Sequence, residues 1–270
     1  MQGEFIMFDS SKWFDFSGKV VLITGGRRGI GRALAEAFAA HGATVAVAGK
    51  AKEAGDVASS LDRSGAIWEY FSADLESREE RHSLIDRVIQ KFGKIDILIN
   101  NAGVQKTAPL FEYSAQQWDS DLSLLLSTPF ELAVAAAKQM IKHNIRGKII
   151  NVASISSFQG ARNIVGYSTA KHGIVGLTKC LANELAPGGI NVNAVAPGIV
   201  RTDMSAAVFA NEERLQTLQS RVPDGRFAEP EDIVGPVFFL ASPMSSHVHG
   251  HVLLVDGGWM GTQGLFALFP

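Results

Sequence analysis

Tyr167 and Lys171 stand four residues apart in the run Tyr167-Ser168-Thr169-Ala170-Lys171. On a helix, positions i and i+4 share a face, so the phenol and the ammonium point into one cleft. A hydroxyl beside a fixed cation can give a proton to a carbonyl and take it back. Ser154, Ser156 and Ser157 lie upstream, Ser154 thirteen residues before Tyr167, and any of the three offers a further hydroxyl. A Tyr–Lys pair at this spacing also arises by chance on many helices. The start of the chain gives it weight. Val20-Val21-Leu22-Ile23-Thr24 runs straight into Gly25-Gly26-Arg27-Arg28-Gly29-Ile30-Gly31, and a helical pattern follows at once. Strand, glycine turn and helix are the context a dinucleotide site requires. Glycines let the backbone approach a pyrophosphate, and the helix N-terminus offers free N–H groups. A proton device and a dinucleotide turn in one chain point together to hydride transfer.

The elements that must position these residues alternate along the chain. Apolar, β-rich runs at 20–24, 44–48, 67–71, 95–100, 148–152, 190–194 and 252–255 read as strands. Their nearly continuous Val, Ile and Leu content predicts burial on both faces, as in a parallel sheet. Amphipathic stretches at 28–41, 54–64, 78–92, 115–143, 166–186, 212–221 and 231–241 read as helices, with Gly, Pro or Asn at the joints. This alternation predicts right-handed crossovers and one doubly wound α/β (Rossmann) domain, a seven-stranded parallel sheet with helices on both faces. Residues 1–15 form an N-terminal extension, and 202–221 a lid over the substrate.

The cofactor is expected to carry a 2′-phosphate. Dinucleotide folds that take the unphosphorylated form place an acid at the end of the second strand, for the ribose hydroxyls. Gly49-Lys50 occupy that place here. A 2′-phosphate calls for Arg or Lys, which Arg27, Arg28 and Lys50 supply. NADP(H) is therefore preferred and NAD(H) stays possible. The plainer alternative is three solvated surface charges.

Bulk composition narrows the rest. The 270 residues are 46% hydrophobic and 19% charged, as in an ordinary globular domain with a large core. A formal charge of −2 gives no broad field for nucleic acid or an anionic membrane. No apolar run reaches the ~18–20 residues of a spanning helix. The aromatic, partly acidic start does not read as a signal peptide. A single cysteine, Cys180, excludes an internal disulfide and agrees with a reducing, cytoplasmic location. His143, His172, His247, His249 and His251 lack the spacing of metal ligands, so no catalytic metal is expected.

Thr24–Gly31 (Thr-Gly-x-x-x-Gly-x-Gly), Asn100-Asn101-Ala102-Gly103, Ser154, Tyr167 with Lys171, and Pro197-Gly198 occur in that order. Together they resemble the short-chain dehydrogenase/reductase family of single-domain type, over residues 16–260. The resemblance implies a role for each position. Tyr167 would be the general acid in reduction and the base in oxidation. Lys171 would hold the nicotinamide ribose and lower the phenol's pKa. Ser154, chosen by its offset from Tyr167, would polarise the carbonyl. Gly25, Arg27, Arg28, Gly29, Ile30, Gly31 and Lys50 would serve the phosphates. Asp74 and Leu75 would meet the adenine, and Asn101, Ala102 and Gly103 would line the ribose path. Pro197 and Gly198 would turn beneath the nicotinamide, with Val200 and Thr202 meeting its carboxamide or the pyrophosphate. A homo-oligomer, dimer or tetramer, would form through helices 115–143 and 166–186. Leu122, Leu124, Leu126, Leu132, Val134 and Ile141 are candidates for its apolar surface.

One position departs from the pattern. Seven residues past Trp118 the family commonly places an asparagine that anchors a water linking the catalytic lysine to solvent. This chain has Leu125 there, and leucine cannot relay a proton. A cofactor-binding scaffold with weakened catalysis is therefore the non-enzyme alternative. The substrate hints conflict. Ser157-Phe158-Gln159-Gly160 and the run Arg221-Val222-Pro223-Asp224-Gly225-Arg226-Phe227 resemble 2-deoxygluconate and gluconate 5-dehydrogenases. Met204, Val208, Phe209 and Leu215 instead make the lid apolar, favouring a mid-sized hydrophobic ketone. The 3-oxoacyl thioester reductases and biosynthetic ketoreductases are further alternatives. Arg162 and Arg201 read as surface charges, or as partners for an acidic substrate.

Overall fold

The computed structural model describes residues 13–262. In chain order they form β1 (Val20–Thr24), α1 (Gly29–Ala40), β2 (Thr44–Gly49), α2 (Asp56–Ser64), β3 (Trp68–Ser72), α3 (Arg78–Phe92) and β4 (Ile97–Asn100). Then come α4 (Ala115–Leu122), α5 (Thr128–Lys142), β5 (Lys148–Val152), α6 (Val165–Leu185) and β6 (Asn191–Pro197). The last are α7 (Ala206–Phe209), α8 (Glu212–Gln219), α9 (Val234–Ala241), β7 (Val252–Val255) and α10 (Trp259–Thr262). The strands make one parallel seven-stranded sheet in the order β3-β2-β1-β4-β5-β6-β7. Chain direction across the sheet reverses between β1 and β4, and that switch point opens a crevice at their carboxyl ends.

Side chains along β1 alternate between two cores, as a period of two dictates. Val21 and Ile23 pack with Leu34 and Phe38 of α1, Leu61 of α2 and Val237 of α9. Val20 and Leu22 pack with Leu84 of α3, Leu132 and Met140 of α5, and Leu181 of α6. The sheet is thus buried on both faces. The residue that follows the N-terminal extension belongs to the first core. Phe16 is buried with its ring 4.7 Å from Phe38 and 4.9 Å from Phe238, and Phe14 lies 5.8 Å from Phe238. The apolar tail 265–270, expected to pack on a neighbour or close a pocket, lies outside the described residues.

Most boundaries agree with the sequence pattern to within a residue or two. Two differences matter. β6 runs on through Pro197, which pairs with Val255. Proline fits there because the end of a strand can spare one ladder N–H. The long helix expected over 115–143 is broken by a π-helical turn at Ser123–Ser127. The helical run Ala115–Lys142 is long and apolar enough, by composition alone, to cross a membrane, yet half of its most apolar window is buried inside the fold. Its apolar residues are largely used within the chain. Leu132 is fully buried and Leu124 packs on the second core, leaving Phe130 and Ile141 as its exposed large hydrophobics.

Candidate active site

The glycine turn is built to admit no side chains. Gly25 and Gly29 have φ of 69° and 53°, which other residues rarely adopt. A Cβ at Gly31 would lie 2.3 Å from the Gly25 carbonyl oxygen and 2.5 Å from the Asn101 amide nitrogen. β4 braces the turn from the far side of the crevice. The Asn101 amide donates to the carbonyls of Thr24 (2.9 Å) and Gly25 (3.3 Å), and the Thr24 hydroxyl accepts from the Asn101 and Ala102 N–H groups at 3.0 Å. Asn101 thus caps β4 against the glycine turn. Helix α1 begins without a side-chain cap and without an acid in its first turn, so its leading N–H groups stay free for an anion. These features fit a dinucleotide pyrophosphate.

The three expected cations separate. The Arg27 guanidinium crosses to the loop after β2, donating to the Ala54 carbonyl at 3.1 Å. Lys50 sits at the end of β2, with Nζ 2.8 Å from Asp74. That pairing raises the Lys50 pKa and lowers that of Asp74, each through the hydrogen bond they share. Arg28 turns the other way and meets Asp203 of the lid at 3.1 Å. Arg27 and Lys50 thus lie by the β2–α2 loop, whereas Arg28 bridges the turn to Asp203. Leu75 is buried, and its carbonyl accepts from Arg81 and Thr128. Pro197-Gly198 close β6, and Val200 bridges to Ala228. Thr202 approaches the glycine turn so closely that a Cβ at Gly29 would lie 3.0 Å from its methyl group.

At the carboxyl end of β5, Ser154 follows the strand and α6 carries Tyr167 and Lys171 back over it. The start of α6 is fixed by Tyr113. Its hydroxyl donates to the buried Asp121 carboxylate at 2.5 Å, and the Gly166 N–H bonds the same phenol oxygen. A Cβ at Gly166 would stand 2.1 Å from that oxygen, which explains a glycine next to Tyr167. Lys171 is buried and donates from Nζ to the Val152 carbonyl at 2.6 Å. Its Nζ lies 5.6 Å from the centre of the Tyr167 ring. Of the three serines, Ser154 is the one that hydrogen-bonds the phenol. Ser157 turns back to receive the Ser154 N–H at 3.3 Å, and the Ser156 N–H donates to the Ser154 hydroxyl at 3.1 Å.

Burial raises the Tyr167 pKa above its ordinary 10, and the Ser154 hydrogen bond works against that rise. Burial also pulls Lys171 down to about 8. Burial thus outweighs the Ser154 hydrogen bond at the phenol. Both groups are desolvated together, and desolvation disfavours phenolate and ammonium alike.

Leu125 lies inside the π-turn, fully buried against Ile164, Tyr167 and Ala170. A Cβ at Gly103 would lie 3.0 Å from its side chain, so leucine fills the gap between the two motifs. The turn is pinned by groups that the sequence pattern had not singled out. Arg81, buried on α3, donates to the Ser123 hydroxyl (2.8 Å), the Leu75 carbonyl (3.0 Å) and Glu131 (2.9 Å). Thr128 donates its hydroxyl to the Ser123 and Leu75 carbonyls, both at 2.9 Å. Leu125→Asn would put an amide among apolar neighbours. It is expected to cost about 1–3 kcal/mol in a denaturant titration and to leave kcat within roughly a factor of three. A rise in kcat of tenfold or more would show that the missing side-chain relay limits turnover.

Segment 202–221 is held by side chains on either side of it. Arg201 stacks over Phe209 at 4.1 Å and pairs with Glu229 at 3.1 Å, while Phe209 meets Phe227 edge-on at 5.5 Å. Arg226 grips Asp232 through both carboxylate oxygens at 2.6 and 3.0 Å. Arg201 and Phe227 therefore support the 202–221 segment through Phe209. Among the described residues, no group of three or more His, Cys, Asp or Glu side chains could hold a metal ion.

Residues 25–260 match a family profile described as enoyl-(acyl carrier protein) reductase. The chain belongs to the short-chain dehydrogenase/reductase family. Within it, the chain is 38% identical to the 2-dehydro-3-deoxy-D-gluconate 5-dehydrogenase of Escherichia coli (strain K12), over 92% of this chain and 97% of that one. It is 39% identical to the 3-oxoacyl-[acyl-carrier-protein] reductase FabG of Aquifex aeolicus (strain VF5), over 89% and 97% of the two chains. The crystal structure of a gluconate 5-dehydrogenase from Burkholderia cenocepacia J2315, in complex with NADP and tartrate, superposes with a TM-score of 0.88 at 33% identity, covering 93% of this chain and 98% of that one. The family resemblance and the fold expected from the sequence are borne out by these matches and by the seven-stranded sheet.

Proposed function

We infer that this short-chain dehydrogenase/reductase is an NADP(H)-dependent oxidoreductase that interconverts a ketone and a secondary alcohol. The observation that carries the reading is the meeting of Ser154, Tyr167 and Lys171 at the sheet's carboxyl end, beside the switch-point crevice and its glycine turn. The cofactor, when bound, supplies or accepts the hydride. Tyr167 gives the carbonyl oxygen its proton in reduction and removes the alcohol proton in oxidation. Ser154 holds that oxygen by a hydrogen bond. Lys171 keeps a positive charge beside the phenol and contacts the nicotinamide ribose. Gly25, Gly29, Ile30 and Gly31 hold the pyrophosphate, with Arg28 and Thr202 across from them. Asn101, Ala102 and Gly103 shape the ribose path, while Pro197, Gly198 and Val200 face the nicotinamide. Arg27 and Lys50 receive the 2′-phosphate, and Asp74 and Leu75 border the adenine.

The substrate class we propose is a keto or hydroxy sugar acid. Relatives at 38% and 33% identity are named as dehydrogenases of such acids. Phe209, the bulkiest apolar group of the lid, is engaged by Phe227 and Arg201 and so does not argue for an apolar substrate. The exposed Arg162 is a candidate partner for the substrate carboxylate. We further propose a cytoplasmic homo-oligomer paired through α5 and α6, where Phe130 and Ile141 stay exposed. Initial rates with a panel of keto-aldonates, 3-oxoacyl thioesters and simple ketones test the reading. Turnover that is fastest on keto-aldonates with NADPH is expected. Cofactor binding without turnover on any of them would leave only the scaffold reading.

A further inference from the structure

We propose that Tyr70 is a positioning residue for cofactor choice: it closes the β2–α2 loop into a form that accepts a 2′-phosphate and rejects a free 2′-hydroxyl. The inference rests on the NADP(H) reading above and concerns a side chain on β3, outside every motif of the sequence.

Tyr70 lies beside Val47 in the β2–β3 pair and reaches past the end of β2. Its hydroxyl stands 3.0 Å from the Gly49 carbonyl oxygen and 2.8 Å from that of Ala51. One O–H is thus shared between the two carbonyls on either side of Lys50. Both oxygens are held on the phenol, and the loop between them is fixed with the Lys50 side chain outermost. Arg27 comes in from the glycine turn against the same loop, close enough that a Cβ at Gly55 would lie 2.9 Å from its guanidinium. Tyr70 and Arg27 therefore brace one spot, the loop that carries Lys50, whose ammonium pairs with Asp74.

The chemistry of that spot follows from what each group can donate. A ribose 2′-hydroxyl is a hydrogen-bond donor and seeks a carboxylate or a free carbonyl. A 2′-phosphate is an acceptor with negative charge, repelled by carbonyl oxygens and drawn to cations. By sharing its O–H between the Gly49 and Ala51 carbonyls, Tyr70 fills an acceptor position that a 2′-hydroxyl would use, while Lys50, paired with Asp74, and Arg27, on the Ala54 carbonyl, are the cations at hand for a phosphate. The same phenol keeps an acid away from the end of β2. A Cβ at Gly49 would lie 3.0 Å from the phenol oxygen, so any side chain there must push Tyr70 aside. Gly49 is required for space, since its φ is not among the positive ones.

The test is the pair of dissociation constants for NADPH and NADH, read by nicotinamide fluorescence, in the wild type, Tyr70→Phe, Gly49→Ala and the double variant. Calorimetry with 2′,5′-ADP supplies a readout of the adenosine end alone. The wild type is expected to bind NADPH more tightly than NADH. In Tyr70→Phe the preference is expected to fall about tenfold, through weaker NADPH and equal or tighter NADH binding. Binding of 2′,5′-ADP should weaken in parallel. Gly49→Ala should lower the preference in the same direction, and should add nothing in the Tyr70→Phe background. A wild type that prefers NADH overturns the NADP(H) reading and this inference with it. A wild type that prefers NADPH, with the preference unchanged in Tyr70→Phe and Gly49→Ala, overturns this inference alone.

Discussion

Tyr167→Phe is expected to lower the rate of ketone reduction on the order of 10³-fold, with NADPH affinity and melting temperature nearly unchanged. Phenylalanine keeps the ring that packs on Leu125, Ile164 and Ala170, so the local core survives. What disappears is the one hydroxyl on α6 that Ser154 touches. Loss of turnover without loss of binding marks an interaction used at the transition state. The pH profile should carry the same signature in the wild type. Burial raises the phenol, so it keeps its proton through neutral pH, where reduction needs it. Reduction is expected to stay flat through neutral pH and to decline above about 8, as Lys171 loses its charge. Oxidation, which needs the phenolate, should speed up as pH rises. A Tyr167→Phe variant that retains its turnover would remove Tyr167 from the chemistry.

Gly31→Ala is expected to weaken NADPH binding by roughly 100-fold, about 3 kcal/mol. The added methyl group would fall 2.3 Å from the Gly25 carbonyl oxygen, a separation no packing allows. That carbonyl belongs to the turn itself, and the Asn101 amide that braces it is 2.5 Å from the same point. The helix must move outward or the turn must open, and either motion takes the free N–H groups of α1 away from a pyrophosphate. Circular dichroism should still report a folded domain, because Leu34 and Phe38 keep α1 on the sheet. Fluorescence titration giving an unchanged dissociation constant would mean that the nucleotide does not approach this turn.

Features carried by contiguous residues were legible in the sequence. The strand Val20–Thr24 followed by glycines, and the Tyr167–Lys171 spacing on one helix face, led directly to the crevice and to the side chains that stand beside it. Features that depend on distant partners were not. Tyr70 meets the Gly49 and Ala51 carbonyls across two strands, and a tyrosine in a β-rich run looks like any other half-buried strand residue. Arg81 reads as one charge of an exposed helix until Glu131, fifty positions away, is found beside it. The π-turn is hidden because one extra residue in a leucine-rich run leaves the apolar pattern nearly intact. The apolar lid residues misled for a related reason. Composition shows that Phe209 is hydrophobic, but only the fold shows that Phe227 and Arg201 already cover it.

Hydride is expected to pass from a 2′-phosphorylated nicotinamide to a carbonyl carbon while Tyr167 supplies the proton. Incubation with NADPH carrying deuterium at the reactive face of nicotinamide C4, and with a keto-aldonate, tests it most directly by mass spectrometry of the product. The expected product is a hydroxy acid bearing one deuterium on the former carbonyl carbon, formed by the wild type and not by Tyr167→Phe. Product without the label, or labelled product formed equally fast by Tyr167→Phe, would contradict it.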